Sequence, residues 1–78
     1  MQYLYDGVIY ETDKAYRIAE LYNTGEDLYL THRGNWFIVN MNNTARPIDV
    51  DDVLDLFLKY DYLELIKEYF PDYEFDYA

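Results

Sequence analysis

Two patterns of hydrophobic spacing divide the chain. Up to about residue 41 the apolar positions alternate or run together as in β-strands, and from Asp49 they recur every three or four residues as on helices. YLYDGVIY, Tyr3 to Tyr10, is rich in aromatic and β-branched side chains and reads as a strand interrupted at Asp6-Gly7, a pair that suits a bulge or a tight turn. Thr12-Asp13-Lys14 reads as a turn. In AYRIAELY, Ala15 to Tyr22, helix and strand compete. Ala15, Ile18, Ala19 and Tyr22 have helical spacing behind a Thr12 or Asp13 cap, whereas alternation puts Tyr16, Ile18 and Glu20 on one face and Ala19 and Leu21 on the other. Strand is the expectation, because it can pair with the hairpin that follows the turn at Asn23-Thr24-Gly25.

That hairpin has the plainest signal. DLYLTH and WFIVNM are joined by Arg33-Gly34-Asn35, two β-rich runs around a short glycine-containing turn. Leu28, Leu30 and His32 alternate with Tyr29 and Thr31, and Trp36, Ile38 and Asn40 alternate with Phe37 and Val39, which predicts one core face and one half-exposed face. Asn42 to Arg46 reads as a polar loop.

Pro47-Ile48-Asp49 followed by Asp52 predicts a helix start, with Asp49 as the cap and acids beside the positive end of the helix dipole. Val50, Val53, Leu54, Phe57 and Leu58 then form an apolar stripe. An uninterrupted helix would put Asp61 inside that stripe and turn Tyr62, Leu65, Ile66 and Tyr69 elsewhere. A break near Tyr60 resolves the conflict, with Asp61 capping a second helix and Glu64 completing a capping box. Pro71 ends that helix. The tail alternates strictly, Tyr73, Phe75 and Tyr77 against Asp72, Glu74 and Asp76, as a half-buried strand would. The predicted class is α+β, one domain over residues 1–78. A sheet-forming part, 1–46, carries an antiparallel sheet of three to four strands between residues 2 and 41. An acidic part, 47–78, carries two short helices and a tail that is a candidate C-terminal edge strand.

Composition narrows the function classes. A chain of 78 residues buries only about two-thirds of its unfolded surface, so its core depends on eleven tyrosines, four phenylalanines and Trp36. More rings are present than so small a core can hide. Cysteine is absent, which removes disulfides and thiolate metal sites. The start MQYLYDGVIYETD lacks the basic and long apolar segments of an export signal, so the cytoplasm is the expected location and Asn42-Asn43-Thr44 is read as a loop rather than a glycosylation site.

Charge changes the picture most. Residues 49 to 77 hold ten of the sixteen carboxylates against Lys59 and Lys67, a net of minus eight, while residues 1 to 48 hold six against Lys14, Arg17, Arg33 and Arg46. Such a chain repels nucleic acid and anionic membranes, both of which are bound through lysine and arginine, and it attracts a protein whose own surface is basic. Nucleophilic catalysis has little to draw on: serine and cysteine are absent, and His32, at a strand end beside a turn, is the one imidazole. Asp49, Asp51 and Asp52 offer oxygen ligands but lack the glycine and terminal glutamate of a calcium loop, and helix capping accounts for Asp49 and Asp52. No enzyme activity, metal or cofactor is expected.

Asp51 with Asp55 and Glu64 with Glu68 lie four apart, which sets carboxylates roughly 6 Å from each other along a helix. Asp72, Glu74 and Asp76 would repeat at about 6.6 Å in an extended tail. These rows approximate the spacing of successive phosphates. Two readings stand: mimicry of a nucleic-acid backbone, or solvated faces that keep a tyrosine-rich domain soluble, with Lys59 and Lys67 pairing with Asp55 and Glu64.

YETDKAYRIAELYN, LYLTHRGNWFIV and RPIDVDDVLDLFLKY, across about residues 9 to 60, resemble in pattern a family of small proteins in phages and mobile elements of Gram-positive bacteria. NMNNTA stands where that family has a glycine-rich loop, and the resemblance implies no particular activity. In size, acidity and tyrosine content the chain also resembles the acidic inhibitors that phages use against host defence, among them anti-CRISPR proteins, antirestriction proteins and uracil-DNA glycosylase inhibitors. The expectation is a non-catalytic inhibitor, foremost an anti-CRISPR protein, acting in the cytoplasm of the bacterial host on a basic nucleic-acid-binding protein such as a CRISPR effector nuclease. Asp51, Asp55, Glu64, Glu68, Asp72, Glu74 and Asp76 would stand in for phosphates, with Tyr62, Tyr73 and Tyr77 as contact rings. The alternative is an antitoxin or a homodimeric module that binds through tyrosines and a sheet edge.

Overall fold

The computed structural model describes residues 1–21 and 24–78. Tyr22 and Asn23, expected as the end of a strand and the start of a turn, lie outside the described residues. The interruption expected at Asp6-Gly7 is a complete reversal: β1 (Gln2–Tyr5) and β2 (Val8–Glu11) pair antiparallel, with Tyr5 opposite Val8. Asp6 and Gly7 both have positive φ, 49° and 76°, as a two-residue hairpin turn compatible with the twist of its strands requires. The open end of the hairpin is clasped. The Met1 amino group lies 3.0 Å from both Glu11 and Asp13, and the Thr12 N–H donates to the Met1 carbonyl at 3.0 Å. These carboxylates, Glu11 foremost, hold the amino group above its ordinary pKa, and the amino group in turn holds Glu11 below the usual carboxylate range.

After a 3₁₀ turn at Thr12–Lys14, four strands form an antiparallel meander in chain order: β3 (Ala15–Leu21), β4 (Glu26–Thr31), β5 (Trp36–Val39) and β6 (Ala45–Ile48). Strand wins over helix at residues 15 to 21, but a bulge alters its faces. The register with β4 slips between Arg17 and Ala19, so Ile18 is the extra residue. Tyr16, opposite Leu30, and Ala19, opposite Leu28, therefore share a face with Leu21, and Ile18 joins the same core. Simple alternation would have divided them.

β6 corrects the polar loop expected at Asn42 to Arg46 and carries the sheet beyond residue 41, up to the Asp49 cap of the helix that follows. Asn40 turns the chain back by accepting from the Asn42 and Thr44 N–H groups at 2.9 and 3.2 Å, and Asn43 takes a left-handed φ of 58°. Ala45 to Ile48 then pair with β5. Pro47 is tolerated because β6 is an edge strand.

The helices are α1 (Val50–Lys59) and α2 (Leu63–Tyr69), with the break where the stripe demanded it. Asp49 is the N-cap of α1 in extended conformation, although its side chain makes no capping hydrogen bond. Asp61 does not cap α2; Tyr62 holds that position, and no capping box with Glu64 forms. Instead Asp61, at φ 58°, closes α1: its N–H donates to the Leu58 carbonyl at 3.3 Å and the Tyr62 N–H donates to the Phe57 carbonyl at 2.9 Å. That is a Schellman termination, in which a residue able to adopt left-handed backbone follows the last helical turn.

The result is three layers. Leu21, Leu28, Trp36 and Ile38 meet Val53, Phe57 and Ile66 on one face of the sheet. Phe37, Val39 and Ala45 on the other face are covered by Tyr3 and Tyr10 of the hairpin, with Tyr10 and Tyr29 rings each 5.1 Å from Phe37. β5 is therefore buried on both faces, not on one as the alternation predicted. Burial raises the Tyr29 and Tyr69 phenols above their ordinary pKa. The tail is not an edge strand. Residues 70–78 contain no strand, and Phe70, Tyr73 and Phe75 cover the helical side of the core, with Phe75 beside Phe57, Leu58, Leu63 and Ile66. Proline at 71 and the backbone bond from the Tyr73 N–H to the Phe70 carbonyl, 3.0 Å, fold the chain onto the helices rather than along the sheet.

Candidate protein-interaction surface

The acidic residues of the helical layer fall where the apolar stripe does not. Val53 in α1 and Ile66 in α2 are buried, and each is flanked two positions away on both sides: Asp51 and Asp55 around Val53, Glu64 and Glu68 around Ile66. Two residues are about 200° of helix rotation, so both pairs are turned off the buried stripe, and all four side chains are exposed. Asp72, Glu74 and Asp76 are exposed along the tail, which lies over the same layer. The seven carboxylates named from the sequence thus share one layer of the molecule.

Their electrostatic state is more telling than their number. Every ion pair among the described residues lies in the first 46: the Met1 amino group with Glu11 and Asp13, Arg17 with Asp27 at 2.9 Å and Glu20 at 3.5 Å, and Arg46 with Glu26 at 3.6 Å. None of the ten carboxylates from Asp49 to Asp76 has a cation within pairing distance. Lys59 does not pair with Asp55 but lies over the Tyr60 ring, 5.4 Å from its centre, and Lys67 makes no ion pair with Glu64. The pairing that would blunt the field is not made.

The three rings named from the sequence differ in what they are free to do. Tyr62 is half-buried against Phe57, and its hydroxyl donates to the Glu20 carbonyl at 3.0 Å, tying the start of α2 to β3. Tyr73 stacks edge to face on Phe75 at 5.0 Å and belongs to the core cover. Tyr77 is 90% exposed and alone of the three is unengaged. Replacing Tyr62 by phenylalanine is expected to lower stability by about 1 kcal/mol through the lost hydrogen bond. Urea unfolding checks this, and an unchanged midpoint would show the tie to carry nothing.

Between α1 and the edge strand β6 runs an open groove of about 550 Å³, lined by Glu26, Asp49, Asp52 and Asp55 with Arg46 and Lys59. Among the described residues no group of three His, Asp or Glu side chains is arranged to hold a metal ion, Asp49, Asp51 and Asp52 included. No helix among them is long and apolar enough to cross a membrane. His32 packs edge to face on Tyr16, ring centres 4.7 Å apart, with no carboxylate bonded to it.

A surface absent from the sequence expectations is the outer side of the β1–β2 hairpin. Leu4 and Ile9 face each other across it and are 73% and 61% exposed. The available signal was that residues 1 to 10 carry one charged side chain, Asp6, in a chain where 28% of residues are charged. No family model, no curated protein and no solved structure matches the chain.

Proposed function

We propose that this protein is a non-catalytic acidic inhibitor from a phage or mobile element, foremost an anti-CRISPR protein. Its helical layer and tail would occupy the nucleic-acid or PAM-reading groove of a defence nuclease. The observation that carries the reading is the absence of any cation paired with the ten carboxylates from Asp49 to Asp76. With ten carboxylates against Lys59 and Lys67, neither of them paired, so lopsided a surface destabilises the free protein by self-repulsion unless a basic surface relieves it. Asp51, Asp55, Glu64, Glu68, Asp72, Glu74 and Asp76 take the place of phosphates, and Tyr77 is the ring free to insert into a partner. No cofactor takes part. The action belongs to the cytoplasm of the bacterial host.

The test is capture. Immobilised protein is exposed to host lysate and retained proteins are identified by mass spectrometry, after which the affinity of the purified pair is followed from about 50 to 200 mM salt. Mimicry predicts a basic nucleic-acid-binding protein whose affinity falls at least about tenfold over that range and whose nucleic acid competes. Retention of a partner with salt-independent affinity, undisturbed by nucleic acid, would overturn the reading.

A further inference from the structure

The two sheets have four outer edges between them, and three are guarded. In β6 the Asn40 N–H donates to the Thr44 carbonyl, so by alternation Ala45 and Pro47 turn their backbone outward, and Pro47 has no N–H to offer. β3 is bulged at Ile18, and its Glu20 carbonyl is taken by the Tyr62 hydroxyl. β1 lies against β6. The edge of β2 has none of these protections. The Thr12 N–H donates to the Met1 carbonyl, so Tyr3–Tyr10 and Tyr5–Val8 are the bonded pairs of the hairpin, and Gln2–Glu11 and Leu4–Ile9 are not. Ile9 and Glu11 therefore aim their backbone N–H and C=O away from β1, and among the described residues these groups have no partner. All four residues of β2 line an open cleft of about 620 Å³, and no residue of β1 does. A strand presenting a face would contribute every second residue, so it is the edge of β2 that borders the cleft.

Charge decides what suits this cleft. Of the six carboxylates in residues 1 to 48, all but Asp6 are ion-paired: Glu11 and Asp13 with the Met1 amino group, Glu20 and Asp27 with Arg17, and Glu26 with Arg46. Lys14 and Arg33 are the cations of that half left without a carboxylate among the described residues, and both line the cleft beside His32. Asp49 is the unpaired carboxylate of the wall, and the register places it at the other end. Lys14 and His32 extend the Ala15–Thr31 pair by one position, and Asn35 and Asp49 extend the Trp36–Ile48 pair. Lys14 and Asp49 thus stand on the two outer strands of the sheet, three strand spacings or about 14 Å apart, beyond the roughly 8 Å screening length at physiological salt. The basic end of the cleft therefore keeps its sign despite the net charge of the chain.

We infer that the cleft takes an extended acidic segment of another protein, added to the hairpin as a third strand along β2. Ile9 and Glu11 supply the backbone pairing, Lys14 and Arg33 meet the carboxylates of the segment, and Trp36, Pro47 and Ile48 receive its apolar side chains. This site opens beside the hairpin, on the face of the sheet opposite the helices, and does not depend on the inhibitor reading.

The probe is an acetylated, amidated peptide, Glu-Val-Glu-Val-Glu, titrated against the full chain and followed by Trp36 fluorescence and calorimetry. The expected result is saturable binding with a Kd below about 1 mM, and none by the lysine counterpart Lys-Val-Lys-Val-Lys. Hydrogen exchange should show new protection at the Ile9 and Glu11 amides and not at Gln2 and Leu4, the outward amides of β1. Lys14→Glu with Arg33→Glu is expected to weaken binding about tenfold while the unfolding midpoint stays in place, because both side chains are exposed and unpaired. Failure of the acidic peptide to bind at about 1 mM would overturn the inference. So would equal binding of the lysine peptide, affinity undiminished in the double variant, or protection confined to β1 or the helices. Inorganic phosphate that displaces the peptide at a similar concentration would show a site for small anions instead, and would overturn it too.

Discussion

Phe57→Ala is expected to remove about 3–5 kcal/mol of stability. Phe57 is fully buried and its ring sits edge to face with three others: Trp36 at 6.2 Å, Tyr62 at 6.1 Å and Phe70 at 5.9 Å. Those neighbours belong to β5, to the start of α2 and to the tail, so one truncation loosens every element of the helical side at once. The cavity cannot collapse, because the surrounding rings are rigid and each is anchored on a different element. A chain of this length has a net stability of roughly 4–12 kcal/mol on a per-residue basis. A loss of this size is therefore a large share of the whole. Urea unfolding followed by Trp36 fluorescence and far-UV circular dichroism measures it. A cost below about 1 kcal/mol would mean that the helical layer is not held through this ring.

What could be read in advance divides along physical lines. The hairpin at Arg33-Gly34-Asn35 was legible because Gly34 takes a φ of 85°, a requirement that only turn residues satisfy and that local sequence therefore displays. The break between α1 and α2 was legible because a single helix cannot bury two apolar stripes with an aspartate between them. The role of Asp61 was not. Left-handed backbone at a helix end and a capping box at a helix start draw on the same residue type, and only the hydrogen bonds from Asp61 and Tyr62 back to Leu58 and Phe57 distinguish them. β6 was hidden because Arg46 and Pro47 are poor strand residues, admitted by an edge position that no local pattern reveals. The bulge at Ile18 and the two-sided burial of β5 were hidden for a related reason. Both depend on a second element, β4 in one case and the hairpin in the other, whose placement is long-range. The tail alternates as a strand does, yet alternation specifies only that every second residue can turn toward the core, not that the backbone finds a partner.

The same limit applies to the candidate surface. The exposure of Asp51, Asp55, Glu64 and Glu68 followed from helical periodicity, but the choice of Lys59 to lie over Tyr60 rather than against Asp55 did not, because both are within reach of a flexible side chain. Tyr62 and Tyr73 are drawn into the fold because a small core recruits whatever apolar area lies beside it. Tyr77, past the last covered ring, has nothing left to cover.

Neutralising Asp55, Glu68, Glu74 and Asp76 together, to asparagine or glutamine, is expected to move stability and capture in opposite directions. Asp51 and Glu64 are left in place because they lie in the first turns of α1 and α2, where the helix dipole favours a negative charge and its removal would confound the comparison. Asp55 and Glu68 lack that benefit. Each instead repels an acid four residues earlier by about 0.2–0.5 kcal/mol, so their loss should leave stability unchanged or raise it by under about 1 kcal/mol. Binding to a basic groove loses four charge contacts. At about 0.5–1 kcal/mol each, the affinity should fall between about 30-fold and 1,000-fold, and its dependence on salt should flatten. If these acids served solubility alone, the quadruple variant would precipitate more readily and bind any partner as before. Melting curves, solubility and affinity measured on one preparation separate the two outcomes, since a fold that stands firm while capture collapses is what a charge-reading partner requires.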